Sequence, residues 1–131
     1  MLELPFDLYL VLVALFLGSF INLAADRLPR GESLVAPRSH CRSCGRVLNV
    51  IDLLPVGGYF IRGGRCATCG TSIGLSAPLI EAAAGLLMLG SIVALGLWPG
   101  GLMGACLVIV LFLVALGVSQ ARHRATTATG R

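Results

Sequence analysis

Three long stretches almost free of charge decide what this chain can fold into. Leu8 to Ala25 has no charged residue in 18 positions, Leu102 to Val118 has none in 17, and Ala77 to Trp98 has only Glu81. A helix rises about 1.5 Å per residue, so each stretch reaches roughly 26–33 Å, matching a hydrocarbon core of about 30 Å. None of them shows a polar face at helical period, which a helix in a water-soluble bundle needs. Composition points the same way: 12% of residues are charged and mean hydropathy is +0.91, where a soluble domain carries about 25% charged residues. The expected fold is a membrane all-α protein with three transmembrane helices. The segment ahead of the first stretch, Met1 to Asp7, contains Glu3 and Asp7 but no basic residue. A cleaved signal peptide opens on a basic region, so the first helix is expected to be retained.

Four of the five cysteines form two identical knuckles, Cys41-x-x-Cys44-Gly45 and Cys66-x-x-Cys69-Gly70, with 21 residues between them. Each knuckle aims two thiolates at one point, and two knuckles complete the tetrahedron that structural zinc prefers. The glycine after each pair lets the turn close with φ > 0. Cys41, Cys44, Cys66 and Cys69 are therefore the expected ligands of one structural zinc, and four thiolates leave no open position for water or substrate. Zinc can supply roughly 10–16 kcal/mol of folding free energy to so small a module.

Arginine gives the orientation. There is no lysine. Seven of the ten arginines (Arg27, Arg30, Arg38, Arg42, Arg46, Arg62, Arg65) lie between residues 26 and 76, and the other three (Arg122, Arg124, Arg131) lie in the tail. With three spans, loop and tail share a side, which the positive-inside rule makes cytoplasmic, leaving the N-terminus outside. That side is reducing, which favours metal thiolates over disulfides. The net charge of +4 is a topology signal beside anionic lipid headgroups, and without an aromatic-rich basic patch nucleic acid is not an expected partner. The expected organisation is a first transmembrane helix at 1–25, a small cytoplasmic zinc loop at 26–76, a helix hairpin at 77–118 and a polar, disordered cytoplasmic tail at 119–131.

Details follow from local chemistry. The apolar segment Asn49 to Ile61 is expected to pack on the zinc ribbon or lie in the membrane interface. Ser76 is expected to cap the second helix, with Pro78 tolerated in its first turn. The Ala82-Ala83-Ala84-Gly85 run lets another helix come close. Glu81 reads as a snorkelling or dipole-paired carboxylate, with a functional group at the interface as the sharper alternative. Trp98-Pro99-Gly100-Gly101 reads as the hairpin turn. His40 reads as a loop residue or as a contact supporting the neighbouring zinc ligand, His123 as solvated, and Cys106 as a small hydrophobe within a span.

Several motifs together resemble the N-terminal part of bacterial prepilin peptidases. They are Gly18-Ser19-Phe20-x-Asn22, Arg27-Leu28-Pro29-Arg30-Gly31-Glu32-Ser33, Pro37-Arg38-Ser39-His40 before the first knuckle, Asp52-Leu53-Leu54-Pro55-Val56, Gly64-Arg65 before the second, and Pro78-Leu79-Ile80-Glu81. The resemblance implies a polytopic protein of the bacterial inner membrane. It implies a part in cleaving leaders from type IV pilin and type II secretion pseudopilin precursors, or in N-methylating the new terminus. The family's four-cysteine domain is linked to methyl transfer, so S-adenosylmethionine is implied only if that activity is retained.

The chain departs from the family pattern in two places. After the second knuckle the family reads roughly Ile-Ser-x-Arg-Tyr-Pro-Leu-x-Glu; here Ile73-Gly74-Leu75-Ser76-Ala77-Pro78-Leu79-Ile80-Glu81 lacks that serine, arginine and tyrosine. Where the family's first catalytic aspartate opens a segment like Asp-Leu-Arg-His-Arg, this chain has Gln120-Ala121-Arg122-His123-Arg124, and no Gly-x-Gly-Asp follows in these 131 residues. The aspartyl half is therefore expected to be absent and no catalytic residue is assigned. Aspartyl proteolysis needs two carboxyls sharing a site, and the six acids present offer no such pair within a span. The expected partners are the membrane, an aspartyl prepilin peptidase half on another chain, and prepilin or pseudopilin. A non-catalytic scaffold or prepilin-binding protein, and a remnant without a role, are the alternatives.

Overall fold

The computed structural model describes residues 3–129. Helix α1 spans Glu3–Arg27, a short 3-10 turn follows at Leu28–Arg30, a one-turn helix α2 spans Gly57–Ile61, α3 spans Ser76–Leu95 and α4 spans Leu97–Thr129. Arg131, counted above among the tail arginines, and Met1 lie outside the described residues. The three long helices are each long and apolar enough to cross a membrane, and each packs against the other two. No strand forms among the described residues; two isolated antiparallel bridges occur in the loop between α1 and α3.

The bundle interior is narrow. Ala14 and Ile21 of α1, Ala84, Met88 and Ile92 of α3 and Val108 of α4 form its buried core. Most large side chains point outward instead, among them Leu86, Val93, Leu102 and Leu113. Exposed apolar area on that scale suits lipid and not water. Small residues set the spacing, as expected of the alanine run: a Cβ on Gly18 would lie 2.7 Å from Glu81 Cα and 3.1 Å from Ala84 Cβ. Without a strong hydrophobic drive between helices in lipid, this close backbone approach supplies the packing.

Three local expectations are corrected. Ser76 does not cap α3: the cap position is Leu75, no side chain caps it, and the Leu79 amide donates to the Leu75 carbonyl at 3.1 Å. Ser76 is already the first helical residue, so Pro78 falls within the first turn, where its missing N–H costs nothing. The hairpin turns at Gly96, whose φ is +83°, and Pro99, Gly100 and Gly101 belong to α4. Proline in a first turn starts a helix as readily as it breaks one. Finally, the expected disordered tail is helical to Thr129. Once a span has formed there is no nucleation cost to extending it, and the threonine hydroxyls are satisfied inside the helix, Thr126 on the His123 carbonyl at 2.8 Å and Thr127 on that of Arg124 at 2.9 Å. At 33 residues, α4 is about 50 Å long and overruns a hydrocarbon core of about 30 Å.

Candidate functional site

The two knuckles are the same structure twice. Cys41 N–H donates to the Arg46 carbonyl at 2.8 Å and Cys66 N–H to that of Thr71 at 2.9 Å; Gly45 N–H returns to Cys41 at 2.8 Å and Gly70 N–H to Cys66 at 3.0 Å. The flanking pairs correspond too, Leu48 to Ser39 at 2.8 Å and Ile73 to Gly64 at 2.7 Å. Gly45 and Gly70 have φ of +73° and +68°, the left-handed conformation expected from their place after each pair.

This repeat brings the four sulfurs within 4.8 Å of one another. Cys41 Sγ lies 3.8 Å from Cys69 Sγ, and Cys44 Sγ lies 3.9 Å from Cys66 Sγ, so each close pair joins the two knuckles. A tetrahedron with metal–sulfur bonds of about 2.3 Å has edges of about 3.8 Å, and a disulfide would need about 2.05 Å. The cluster thus fits a four-coordinate thiophilic cation. Its electrostatics ask for one. Hydrogen bonding with the Thr71 hydroxyl, 3.3 Å from Cys69 Sγ, and with the Thr71 amide brings the Cys69 thiol down to about 6. The amides of Cys69 and Thr68 lower Cys66. At Cys44 the Arg46 amide favours the thiolate, but burial and the three neighbouring sulfurs outweigh it and push the thiol up to about 11. Some thiolates form readily and the last resists; a bound cation removes that conflict.

A buried carboxylate sets the spacing between the knuckles. Asp52, with only 6% of its side chain exposed, takes Arg46 Nη2 at 2.5 Å and Arg62 Nε at 2.6 Å. Arg46 closes the first knuckle and Arg62 ends α2 just before the second. Asp52 Oδ2 also accepts the Asn49 amide at 2.9 Å, while Asn49 Oδ1 accepts the Asp52 amide at 3.1 Å, a reciprocal cap of the kind formed between positions three residues apart. Burial opposes the charge on Asp52, but the Asn49 amide and the two guanidiniums prevail and hold its carboxyl below the usual range. Asp52 therefore ties the segment 49–61 to the four-cysteine loop, while Val50, Phe60 and Ile61 of that segment stay exposed. The Asp52 node itself was not anticipated; the Asn49-x-x-Asp52 spacing was its only local signal.

Between this segment, α1 and the start of α3 lies a cavity of about 530 Å³, whose lining includes Asn22, Asp26, Asp52, Tyr59, Arg62 and Glu81. Its carboxylates are engaged. Asp26 is paired with Arg30 and Arg42, and Glu32 with Arg42 at 3.2 Å. Glu81 does not snorkel: it is 7% exposed and its Oε2 accepts the Val56 amide at 2.6 Å. Val56 has φ of +57°, costly for a β-branched residue, and Glu81 pins that turn to α3. Arg27 is buried and donates to the carbonyls of Ser33 at 2.7 Å and Pro37 at 2.9 Å, fastening the chain that leaves α1. His40 Nδ1 lies 2.9 Å from the Arg38 carbonyl, as a loop residue would. Cys106 is exposed on α4, away from the cluster. Gln120 is exposed one residue beyond Ser119, whose hydroxyl donates to the Ala25 carbonyl.

Comparison with known proteins agrees with this geometry. The family model described as the bacterial peptidase A24 N-terminal domain matches residues 12–95, from within α1 to the end of α3. The chain is 36% identical over 118 residues to a prepilin leader peptidase/N-methyltransferase of Myxococcus xanthus, covering 90% of this chain and 35% of that protein. A prepilin leader peptidase/N-methyltransferase of Pseudomonas aeruginosa is 30% identical over 147 residues, covering 92% and 49%. A type 4 prepilin-like proteins leader peptide-processing enzyme of Escherichia coli is 30% identical over 129 residues, covering 84% and 47%. The chain thus spans between about a third and a half of the length of these curated relatives. No solved structure matches. With a match running through two membrane helices and the whole four-cysteine loop, the chain belongs to the bacterial prepilin peptidase family and carries its N-terminal domain.

Proposed function

We propose that this chain is the zinc-stabilised membrane module of a prepilin-processing system in the bacterial inner membrane. In this reading it acts in the removal of type IV pilin or pseudopilin leaders, or in N-methylation of the new terminus, together with a partner chain that supplies the catalytic aspartates. The observation that carries it is the extent of the family match, to relatives named for leader peptidase and N-methyltransferase activity.

Zinc, held by Cys41, Cys44, Cys66 and Cys69, has a structural role here: four thiolates fill its coordination and leave no place for water. It fixes the loop over the cavity beneath. If methyl transfer is retained, S-adenosylmethionine is the implied cofactor; the volume of the cavity falls in the range of about 300–1,000 Å³ typical of small-molecule sites. The arginine distribution supports an orientation with loop and tail on the cytoplasmic side and the N-terminus outside.

Leader cleavage needs a protonated carboxyl beside an ionised one. Asp26, Glu32, Asp52 and Glu81 are each committed to an arginine or an amide, and Gln120 cannot ionise. That commitment favours a second reading, a scaffold that holds prepilin without cutting it. Co-expression separates the two. The first reading expects leader cleavage when a membrane protein bearing a Gly-x-Gly-Asp motif is supplied, and loss of that cleavage when a knuckle cysteine is replaced. Binding of prepilin with no cleavage under any pairing supports the scaffold. Cleavage by the purified single chain overturns both.

A further inference from the structure

A second groove, of about 710 Å³, lies between the end of α1, the first turns of α3 and the stretch of α4 from Leu111 to Thr126. Its floor is apolar, built from Leu79 of α3 and Leu111, Val114 and Val118 of α4. Leu79, Val114 and Val118 are exposed, so the floor is open to its surroundings. Its rim is polar and basic, with Arg30 from the turn after α1 and Arg122 and His123 from α4.

The polarity of α4 changes inside this groove. Val118 ends the uncharged run, and Ser119 and Arg122 follow within one turn. Because α4 overruns the hydrocarbon core, this change marks the level where acyl chains give way to headgroups. Arg122 is exposed, and among the described residues its guanidinium has no carboxylate within ion-pair distance, nor does Arg124. The acid on the groove wall, Asp26, is already held by Arg30 and Arg42.

We propose that this groove seats one anionic phospholipid, an acyl chain along Leu79, Leu111, Val114 and Val118 and the phosphodiester against Arg122 with His123 beside it. The chemistry separates this occupant from others. A zwitterionic lipid would carry a compensating ammonium to the same arginine. An apolar transmembrane helix would fill the floor and leave Arg122 without a counter-charge. An amphiphile with a net negative head answers floor and rim together. The site stands apart from the four cysteines, so it does not depend on metal binding.

The test is native mass spectrometry on the full chain in neutral detergent, titrated with phosphatidylglycerol or phosphatidylcholine. One phosphatidylglycerol should be retained in preference. Arg122→Ala should weaken it by about fivefold, the effect of one arginine at an anionic surface, and Arg122 is exposed, so this variant keeps the bundle intact. Val118→Trp, which fills the floor, should weaken it as well. Arg38→Ala removes the same charge outside the groove and should leave retention unchanged, and millimolar inorganic phosphate should not compete. Equal retention of both lipids, equal loss in the Arg38 and Arg122 variants, or full displacement by phosphate would overturn the proposal. A photo-crosslinker at position 118 in native membranes should capture lipid; a polypeptide adduct in its place would mean that a protein helix occupies the groove.

Discussion

Replacing Asp52 with asparagine should open the four-cysteine loop while leaving the membrane bundle intact. The substitution keeps the shape of the side chain and removes the charge that two arginines share. Removing one partner of a buried ion pair typically costs about 3–5 kcal/mol, because the remaining charge stays buried without compensation. Here the carboxylate is 6% exposed but Arg46 and Arg62 keep 23% and 24%, so solvent screens part of the loss. A cost of about 2–4 kcal/mol follows, roughly 30- to 700-fold in the local opening equilibrium at about 1.4 kcal/mol per tenfold. Arg46 has a further reason to suffer: its Nε is buried with no hydrogen-bond partner, so Asp52 carries most of its compensation.

Hydrogen exchange read by mass spectrometry measures this directly, since protection reports local opening. Peptides covering residues 46–62 should lose protection by that factor, while those of α3 and α4 should not change. The pH dependence has a definite sign. The carboxyl of Asp52 is depressed below its ordinary value of 3.8, so its stabilisation is complete above that value and is lost as pH falls through the depressed one. The difference between wild type and Asp52→Asn should therefore be flat from about pH 5 to 8. Unchanged protection in 46–62 would refute the reasoning, because Asp52 would then not be what couples the knuckles. A difference that varies across that pH window would assign the effect to another group.

Other outcomes follow from the same geometry. The purified chain should contain one zinc per molecule by elemental analysis, and Cys44→Ser should release it and expose the loop to protease; metal-free protein from an anaerobic, chelator-free preparation would end the zinc reading. Gly18→Leu should lower thermal stability in detergent by about 1–3 kcal/mol or more, an overpacking cost, because its Cβ would meet Glu81 Cα at 2.7 Å, whereas Gly90→Leu, with nothing within 4 Å of its Cβ, should be tolerated. Single cysteines at the exposed Trp98 and Thr127 should label from opposite sides of the membrane; labelling from one side would refute the three-span topology.

The parts of this molecule that were legible in its sequence are those governed by composition or by short spacing. Helices in lipid need length and low charge, which Leu8–Ala25, Ala77–Trp98 and Leu102–Val118 display openly. A thiolate tetrahedron needs two Cys-x-x-Cys-Gly turns, and φ > 0 at Gly45 and Gly70 follows from that local demand. What escaped depends on partners far away in the chain. Glu81 reads locally as an acid near a helix start, yet its role is set by an amide 25 residues earlier, on Val56. Asp52 gains its meaning from Arg46 and Arg62 together. The end of α4 was misjudged for a different reason: polarity forecasts exposure, and exposure is not disorder when the helix is already nucleated by the span before it.

The arginines show how one residue type can carry two messages. Counted along the chain they mark a side of the membrane, and pairing does not erase the bias, since nine described arginines at the loop end of the bundle face four carboxylates, Asp26, Glu32, Asp52 and Glu81. In the fold, however, five of the nine are committed. Arg27 fastens the exit from α1, Arg30 and Arg42 hold Asp26, and Arg46 and Arg62 hold Asp52. The charges held by neither a carboxylate nor a backbone carbonyl among the described residues are Arg38 and Arg65 in the loop and Arg122 and Arg124 on α4. The uncommitted positive potential on α4 therefore sits where the helix leaves the hydrocarbon core, beside an open apolar groove. That position, more than the net charge of the chain, makes an anionic headgroup the natural counter-charge at Arg122.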